Sequence, residues 1–276
     1  MYRLKLGTSV RVFERDGVSE TFRGDLKEIK REGFYSVEAT LGKVGGYGMN
    51  MERATKEVGD CLKAVLDEGL VLNSIHLPFQ RFIYISSYDE GVRKWAVDEF
   101  KKLIAECDKY GPKHYVFHSK TGLEEEGLWG LRIPALIKTF RELVASTKAN
   151  ICMENMVGSY PKRISHMVEV LEQVDGGKCC IDTNHFLNDK VEDAVFALKK
   201  WLTTLHVSDY DGVYERHQMP KTGVNDWMKI IGALEEIGYD GVFTYELRKK
   251  EFGYSYADIR KNYEELFEEY NKNSSK

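Results

Sequence analysis

Six short segments of the chain end in a side chain that can bind a metal or move a proton. They read S-I-H76-L-P, V-F-H118-S, C-M-E154-N, I-D182-T-N-H185, L-H206-V-S-D209 and T-Y-E246-L. Each closes a run of apolar or β-branched residues, the pattern of a buried strand. A lone His or Glu in such a place is ordinarily a hydrogen-bonded cap. The number argues otherwise: if strand ends occupy about one-eighth of the chain, the seven histidines would put about one there. Four are there, His76, His118, His185 and His206, and His217 follows in a long loop as a fifth candidate. His114, at the start of its run, and His166, in a helical pattern, read as structural.

Residues two apart on a strand share a face. Glu154 therefore shares a face with Cys152, Asp182 with Cys180, and Glu246 with Thr244 and Val242. Small or apolar partners of this kind suit the inside of a barrel, where isolated carboxylates would cost several kcal/mol, on the order of a lost ion pair, unless a cation compensates. Mixed imidazole and carboxylate ligation suits Zn²⁺ or Mn²⁺ first, and Mg²⁺, Co²⁺ or Fe²⁺ as well.

The elements that would carry these groups alternate. Strand candidates are 4–10, 35–41, 71–76, 114–119, 150–155, 178–185, 202–209 and 241–247, and helical patterns cover 25–31, 52–68, 88–109, 133–146, 162–173, 191–200, 226–237 and 256–270. Val58, Leu62 and Val65 form the apolar stripe of the second helix. Gly33, Gly69, Gly111 and Gly238 stand where helices should stop. Eight strands alternating with eight helices predict an α/β fold, the closed (β/α)8 or TIM barrel, whose chemistry sits at the C-terminal ends of the strands. An open doubly wound sheet is the competitor, and no G-x-G-x-x-G follows the first strand. No linker interrupts the 276 residues, so a single domain is expected over 1–276, with a frayed polar tail from Asn271 to Lys276.

Composition narrows the function classes. Forty Lys and Arg against 44 Asp and Glu leave a net charge of −4, without the single-signed field that draws a protein to nucleic acid or an anionic membrane. No window approaches a membrane-spanning run, and the N-terminus lacks a signal-peptide core, so a cytoplasmic protein is expected. The five cysteines are odd in number and form no C-x-x-C pair, which argues against disulfides or a thiolate zinc site and for small buried hydrophobes. Cys179 and Cys180 should point to opposite faces of their strand.

In order along the chain, H76-L-P-F, F-H118, E154-N, D182-T-N-H185, H206-V-S-D and E215-R-H217-Q-M-P-K-T-G223-V-N-D-W227 resemble the xylose-isomerase-like TIM-barrel superfamily. That group holds sugar isomerases and epimerases, inosose dehydratases and class II apurinic endonucleases, and the resemblance covers nearly the whole chain. It implies that Glu154, Asp182, His206 and Glu246 bind one divalent metal, as in the sugar epimerases. The endonuclease branch adds histidines for a three-zinc cluster; His76, His118, His185 and His217 match them, with Glu215 where that branch has aspartate. The segment L77-P-F-Q-R-F-I-Y-I-S-S-Y is similar to the sugar-isomerase members, and L-G-T-S-V lacks the endonuclease-like opening G-A-H-V-S. Lys221 stands where the family commonly has glycine.

The resemblance implies isomerisation or epimerisation of a ketose or related polyol through an enediolate. Glu154 and Glu246 would exchange the proton, Asp182 and His206 would anchor the metal, and His185 would contact a hydroxyl or a second metal. His76 and His217 are expected near the substrate as well. Arg216 is a candidate for a polar substrate group or a surface ion pair. Trp129 and Trp227 are expected to pack in the core rather than floor the pocket. The alternatives are an apurinic endonuclease, an inosose-type dehydratase, and a barrel that only binds ligand. A small-molecule partner is expected, with neither membrane nor nucleic acid; a homo-oligomer is compatible with the composition.

Overall fold

The computed structural model describes residues 1–14, 16–42, 44, 50–79, 83–119 and 126–274. Eight parallel strands close on themselves: β1 Lys5–Arg11, β2 Ser36–Thr40, β3 Val71–His76, β4 His114–Phe117, β5 Asn150–Glu154, β6 Lys178–Asp182, β7 Leu202–Val207 and β8 Val242–Tyr245. Each pairs with the next, and β1 closes the ring on β8 through Lys5 opposite Val242 and Thr8 opposite Tyr245. The expected (β/α)8 barrel is the fold found. All eight strands appear near their expected bounds, several shorter because the polar residues after them turn out of the ladder to form the mouth.

Around the ring lie α1 Phe22–Arg31, α2 Met51–Asp67, α3 Glu90–Cys107, α4 Trp129–Val144, α5 Ile164–Leu171, α6 Val191–Leu198, α7 Trp227–Glu236, the single turn α8 Lys249–Phe252, and α9 Tyr256–Ser274. Local sequence explains their ends. Asn50, Asp89 and Asp226 cap α2, α3 and α7 by accepting the N–H of Arg53, Val92 and Lys229. The four glycines expected to stop helices all lie at positive φ. Helix α2 buries Ala54, Val58, Cys61, Leu62 and Val65, the 3.6-residue stripe that packs a helix against strands.

Two features depart from expectation. Asn271 to Ser274 are helical rather than frayed, because Asn271 ties α9 to the first strand's approach: the N–H of Tyr2 donates to Asn271 Oδ1 at 3.0 Å and Asn271 Nδ2 donates to the Tyr2 carbonyl at 3.0 Å. Ser275 and Lys276 lie outside the described residues, as do Gln80, Arg81 and Phe82 of the 77–88 segment. A small antiparallel hairpin, Phe13–Glu14 with Gly17–Val18, follows β1 and has no counterpart in the sequence reading.

The five cysteines are free and buried. Cys179 packs in the large layer between strands and helices, whereas Cys180 joins Val116 and Cys152 in a separate cluster inside the barrel, the opposite faces that strand geometry demands. Among the described residues no helix is long and apolar enough to cross a membrane.

Candidate metal centre

The strand ends deliver their side chains to one place. One oxygen or ring nitrogen from each of Glu154, Asp182, His206 and Glu246, from β5, β6, β7 and the residue after β8, lies within 4.8 Å of the others. His206 Nδ1 is 2.9 Å from Glu246 Oε2 and 3.2 Å from Glu154 Oε1. Two further groups adjoin it: His76, His118 and Glu154 on one side, and Asp182, His185 and His217 on the other. Apart from Glu246 and His118, which are partly exposed, and His217, which is slightly so, these side chains are buried.

The first flanking group shows why a cation fits. The Nδ1–H of His76 donates to the Leu77 carbonyl at 2.9 Å, which turns its Nε2 towards Glu154 Oε2 at 3.1 Å and His118 Nε2 at 3.2 Å. Three lone-pair-bearing atoms face one another there, and a shared proton or a cation must lie among them. Burial disfavours an imidazolium at both rings. At His76 the hydrogen bond to Glu154 and the charges of Glu154, Glu38 and Glu246 together outweigh it and push the ring up to about 9, whereas at His118 burial prevails and the ring stays below its ordinary value.

The carboxylates differ in the same way. Burial alone would push the Glu154 carboxyl up, but the imidazoles of His118 and His206 hold it well below its usual range. Burial also leads at Asp182, whose carboxyl is pushed well up: His217 and His206 draw it down, Glu246 and Glu154 add to the rise, and burial prevails. One of its oxygens, Oδ1, accepts the N–H of Asn184 at 2.7 Å, while the buried Oδ2 has no hydrogen-bond partner among the described residues and lies 3.4 Å from the His185 ring. An orphaned buried carboxylate oxygen facing other carboxylates is the donor set a divalent cation satisfies.

His185 is oriented by its Nδ1–H, which donates to the Asn155 carbonyl at 2.9 Å, leaving Nε2 towards Asp182. His217 Nε2 stands 2.9 Å from Glu215 Oε1. Its loop is built on Asp209. The N–H groups of Tyr210 and Asn225 donate to Asp209 Oδ1, and those of Lys221, Gly223 and the Trp227 indole to Oδ2. This explains how Lys221 can replace a glycine: it takes φ 72°, and the Asp209 carboxylate holds its N–H in that left-handed conformation.

The remaining expected residues are placed as follows. Arg216 is half-exposed, its guanidinium 2.6 Å from Asp211 and over the Tyr214 ring, outside the three ligand groups. Trp227 is buried on Asp209, and Trp129 packs on Tyr160 and His166 away from the ligands. His114 sits at the start of β4 beside Asn150.

Two residues had been missed. Phe79 stacks on His118, ring centres 4.7 Å apart, and stands edge-on to His76; Gly42 makes room for it, since a Cβ there would lie 2.5 Å from the Phe79 ring. Glu38, fully buried on β2, places Oε2 3.0 Å from His206 Nε2 and accepts the Ser74 hydroxyl at 2.8 Å. Alternation would have signalled it, because Ser36, Glu38 and Thr40 form one polar face of an otherwise apolar strand.

A family model described as xylose isomerase-like TIM barrel matches residues 26–270, and the chain belongs to that family. A search of curated proteins finds no match. Solved structures similar to it include a D-tagatose 3-epimerase-like protein (17% identity, TM-score 0.75, covering 98% of this chain and 100% of that one). A D-psicose 3-epimerase from Clostridium cellulolyticum H10, solved with D-tagatose, is 15% identical with TM-score 0.73, over 98% of this chain and 99% of that one. A D-allulose 3-epimerase from Methylomonas sp. is 15% identical with TM-score 0.74, over 97% and 98%. At such identities the likeness establishes the shared fold.

Proposed function

We propose that the protein is a divalent-metal-dependent isomerase or epimerase of a ketose or related polyol. The observation that carries this reading is the convergence of Glu154 and Glu246 on one imidazole nitrogen, beside Asp182. A cation held by Glu154, Asp182, His206 and Glu246 would supply Lewis-acid stabilisation to negative charge developing on substrate oxygens. The chain's own residues do the rest. Of the two glutamates, from opposite sides of the substrate, one takes the proton from carbon to form the enediolate and the other returns it. His185 and His217, next to Asp182, would contact hydroxyl groups, with His76 and His118 closing the other side beneath Phe79. Arg216 reaches a substrate only by leaving Asp211. The sugar acted on by the similar solved structures supports this substrate class, and the five unpaired cysteines support a reducing, cytoplasmic setting. Zn²⁺ or Mn²⁺ suits the imidazole-rich donor set best.

The test is metal analysis of the purified protein, followed by a ketose, polyol and inosose panel with that metal supplied. Conversion is expected to require the cation; a metal-loaded protein that converts no member of the panel overturns the reading.

The two flanking ligand groups favour a second reading, a zinc phosphodiesterase acting at abasic DNA, because they offer places for more than one cation. It requires a track of cations for phosphates, yet Lys101 and Lys102 pair with Glu142 and Glu99 on the helical surface. Nicking of an abasic duplex that weakens steeply with salt would establish it.

A further inference from the structure

We propose that Glu38 is a positioning residue for His206, reaching across the barrel to hold the Nε2 proton of that ring and so present Nδ1 to Glu154 and Glu246. The inference rests on the metal-centre reading for its purpose, but the contact can be tested separately. Glu38 lies on β2 and His206 on β7, and β1 and β8 stand between them in the ring. The Glu38 side chain spans that gap to arrive at 3.0 Å. The imidazole is thus gripped from both edges: Nε2 by Glu38, and Nδ1 by the two carboxylates of the proposed ligand set.

Chemistry gives this arrangement its direction. A neutral imidazole has one proton and one lone pair, and a ligating histidine offers the lone pair while its other nitrogen donates. With a carboxylate fixed at Nε2, the proton stays there and the lone pair is at Nδ1, on the side of Asp182 and the two glutamates. Glu38 is itself held: its Oε2 accepts the Ser74 hydroxyl at 2.8 Å, and Ser74 is its register partner on β3. A buried carboxylate with no task would be a liability to the fold. Here it makes His206 a directed ligand.

The experiment compares the full-length protein with Glu38→Gln and Glu38→Ala, using Co²⁺ titration by visible absorption, Zn²⁺ competition, and the downfield ring N–H proton signal of His206. The wild type is expected to show a solvent-protected Nε2–H signal. Glu38→Ala should lose it and bind Co²⁺ and Zn²⁺ about 10–100-fold more weakly, the range found when partners of ligating histidines are removed. Glu38→Gln, which keeps an acceptor oxygen of the same length, should fall between the two; it also serves if the alanine variant does not fold. Variants that bind both metals as the wild type does, with the ring signal unchanged, overturn the proposal. If the wild type binds no metal, the proposed function fails, while loss of the protected signal in the variants still upholds the Glu38 contact and its persistence overturns it.

Discussion

Glu154 and Glu246 come from strands on different sides of the barrel and meet at one atom, His206 Nδ1, at 3.2 and 2.9 Å. Neither carboxylate spends its second oxygen in the same way. Glu154 Oε2 faces the His76 and His118 rings, whereas Glu246 is the partly exposed member, open to the mouth. The pair therefore has one buried and one approachable acid, an arrangement suited to handing a proton from one side of a bound molecule to the other.

Replacing either acid by its amide keeps the shape and removes the base. Glu154→Gln and Glu246→Gln are each expected to lower kcat by at least about 100-fold, the lower end of what a positioned acid–base group contributes. Circular dichroism should remain that of the folded barrel. A Glu154→Gln enzyme with near-normal turnover would remove Glu154 from the reaction.

Removing the cation should also loosen the fold. A ligand that binds only the native state stabilises it by about 2.7 kcal/mol at one hundred times its dissociation constant. Thermal melts after chelation, and again after Mn²⁺ or Zn²⁺ is added back, should differ by several degrees. Coincident melts would mean that the acidic cluster at the mouth is not a metal centre.

Asp209 accepts five N–H groups and organises the loop that carries Glu215 and His217. Asp209→Ala is expected to cost about 3 kcal/mol, since it leaves the buried Trp227 indole and four partly buried amides without their acceptor. Hydrogen exchange at Lys221, Gly223 and Asn225 should accelerate more than exchange in α2. Gly223→Ala should act on the same loop, because a Cβ there would collide with the Tyr210 carbonyl oxygen. Unchanged protection at those amides would contradict this account.

His114 supplies a pH dependence remote from the mouth. Burial, helped by Lys113, lowers it from 6.5 to about 4. The unfolded chain thus binds a proton in a window where the folded one does not, so stability is full above pH 6.5 and falls as pH drops towards 4. The loss is on the order of 3 kcal/mol at most. Urea midpoints across that window should fall more steeply for the wild type than for His114→Asn; parallel curves would assign the acid sensitivity to other groups.

Much of this was legible beforehand, for a physical reason. In a parallel barrel the mouth is built from strand ends, so local runs of β-branched residues locate the ends, and period-two alternation assigns their faces. That logic placed Glu154, Asp182 and His206 together across more than fifty positions of sequence. Alternation marks the face of Glu38 but not its role, because it sits two residues before the end of β2 and acts through a partner 168 positions away. Neither separation nor reach is written in a local pattern. Likewise, the helical extension to Ser274 depends on Asn271 meeting Tyr2, a contact between the chain's extremities that composition cannot announce.

The β1–β8 seam is where the first and last strands of the ring find each other. Glu246 follows directly after β8 and its N–H donates to the Val207 carbonyl, so it arrives at the mouth only when β8, the strand whose pairing with β1 completes the ring, has docked on β7. A chain stalled before closure would own three of the four acidic or imidazole arms and lack the last. Capture of an ion would then report that the circle is complete, and a nascent or damaged molecule would be silent rather than partly competent.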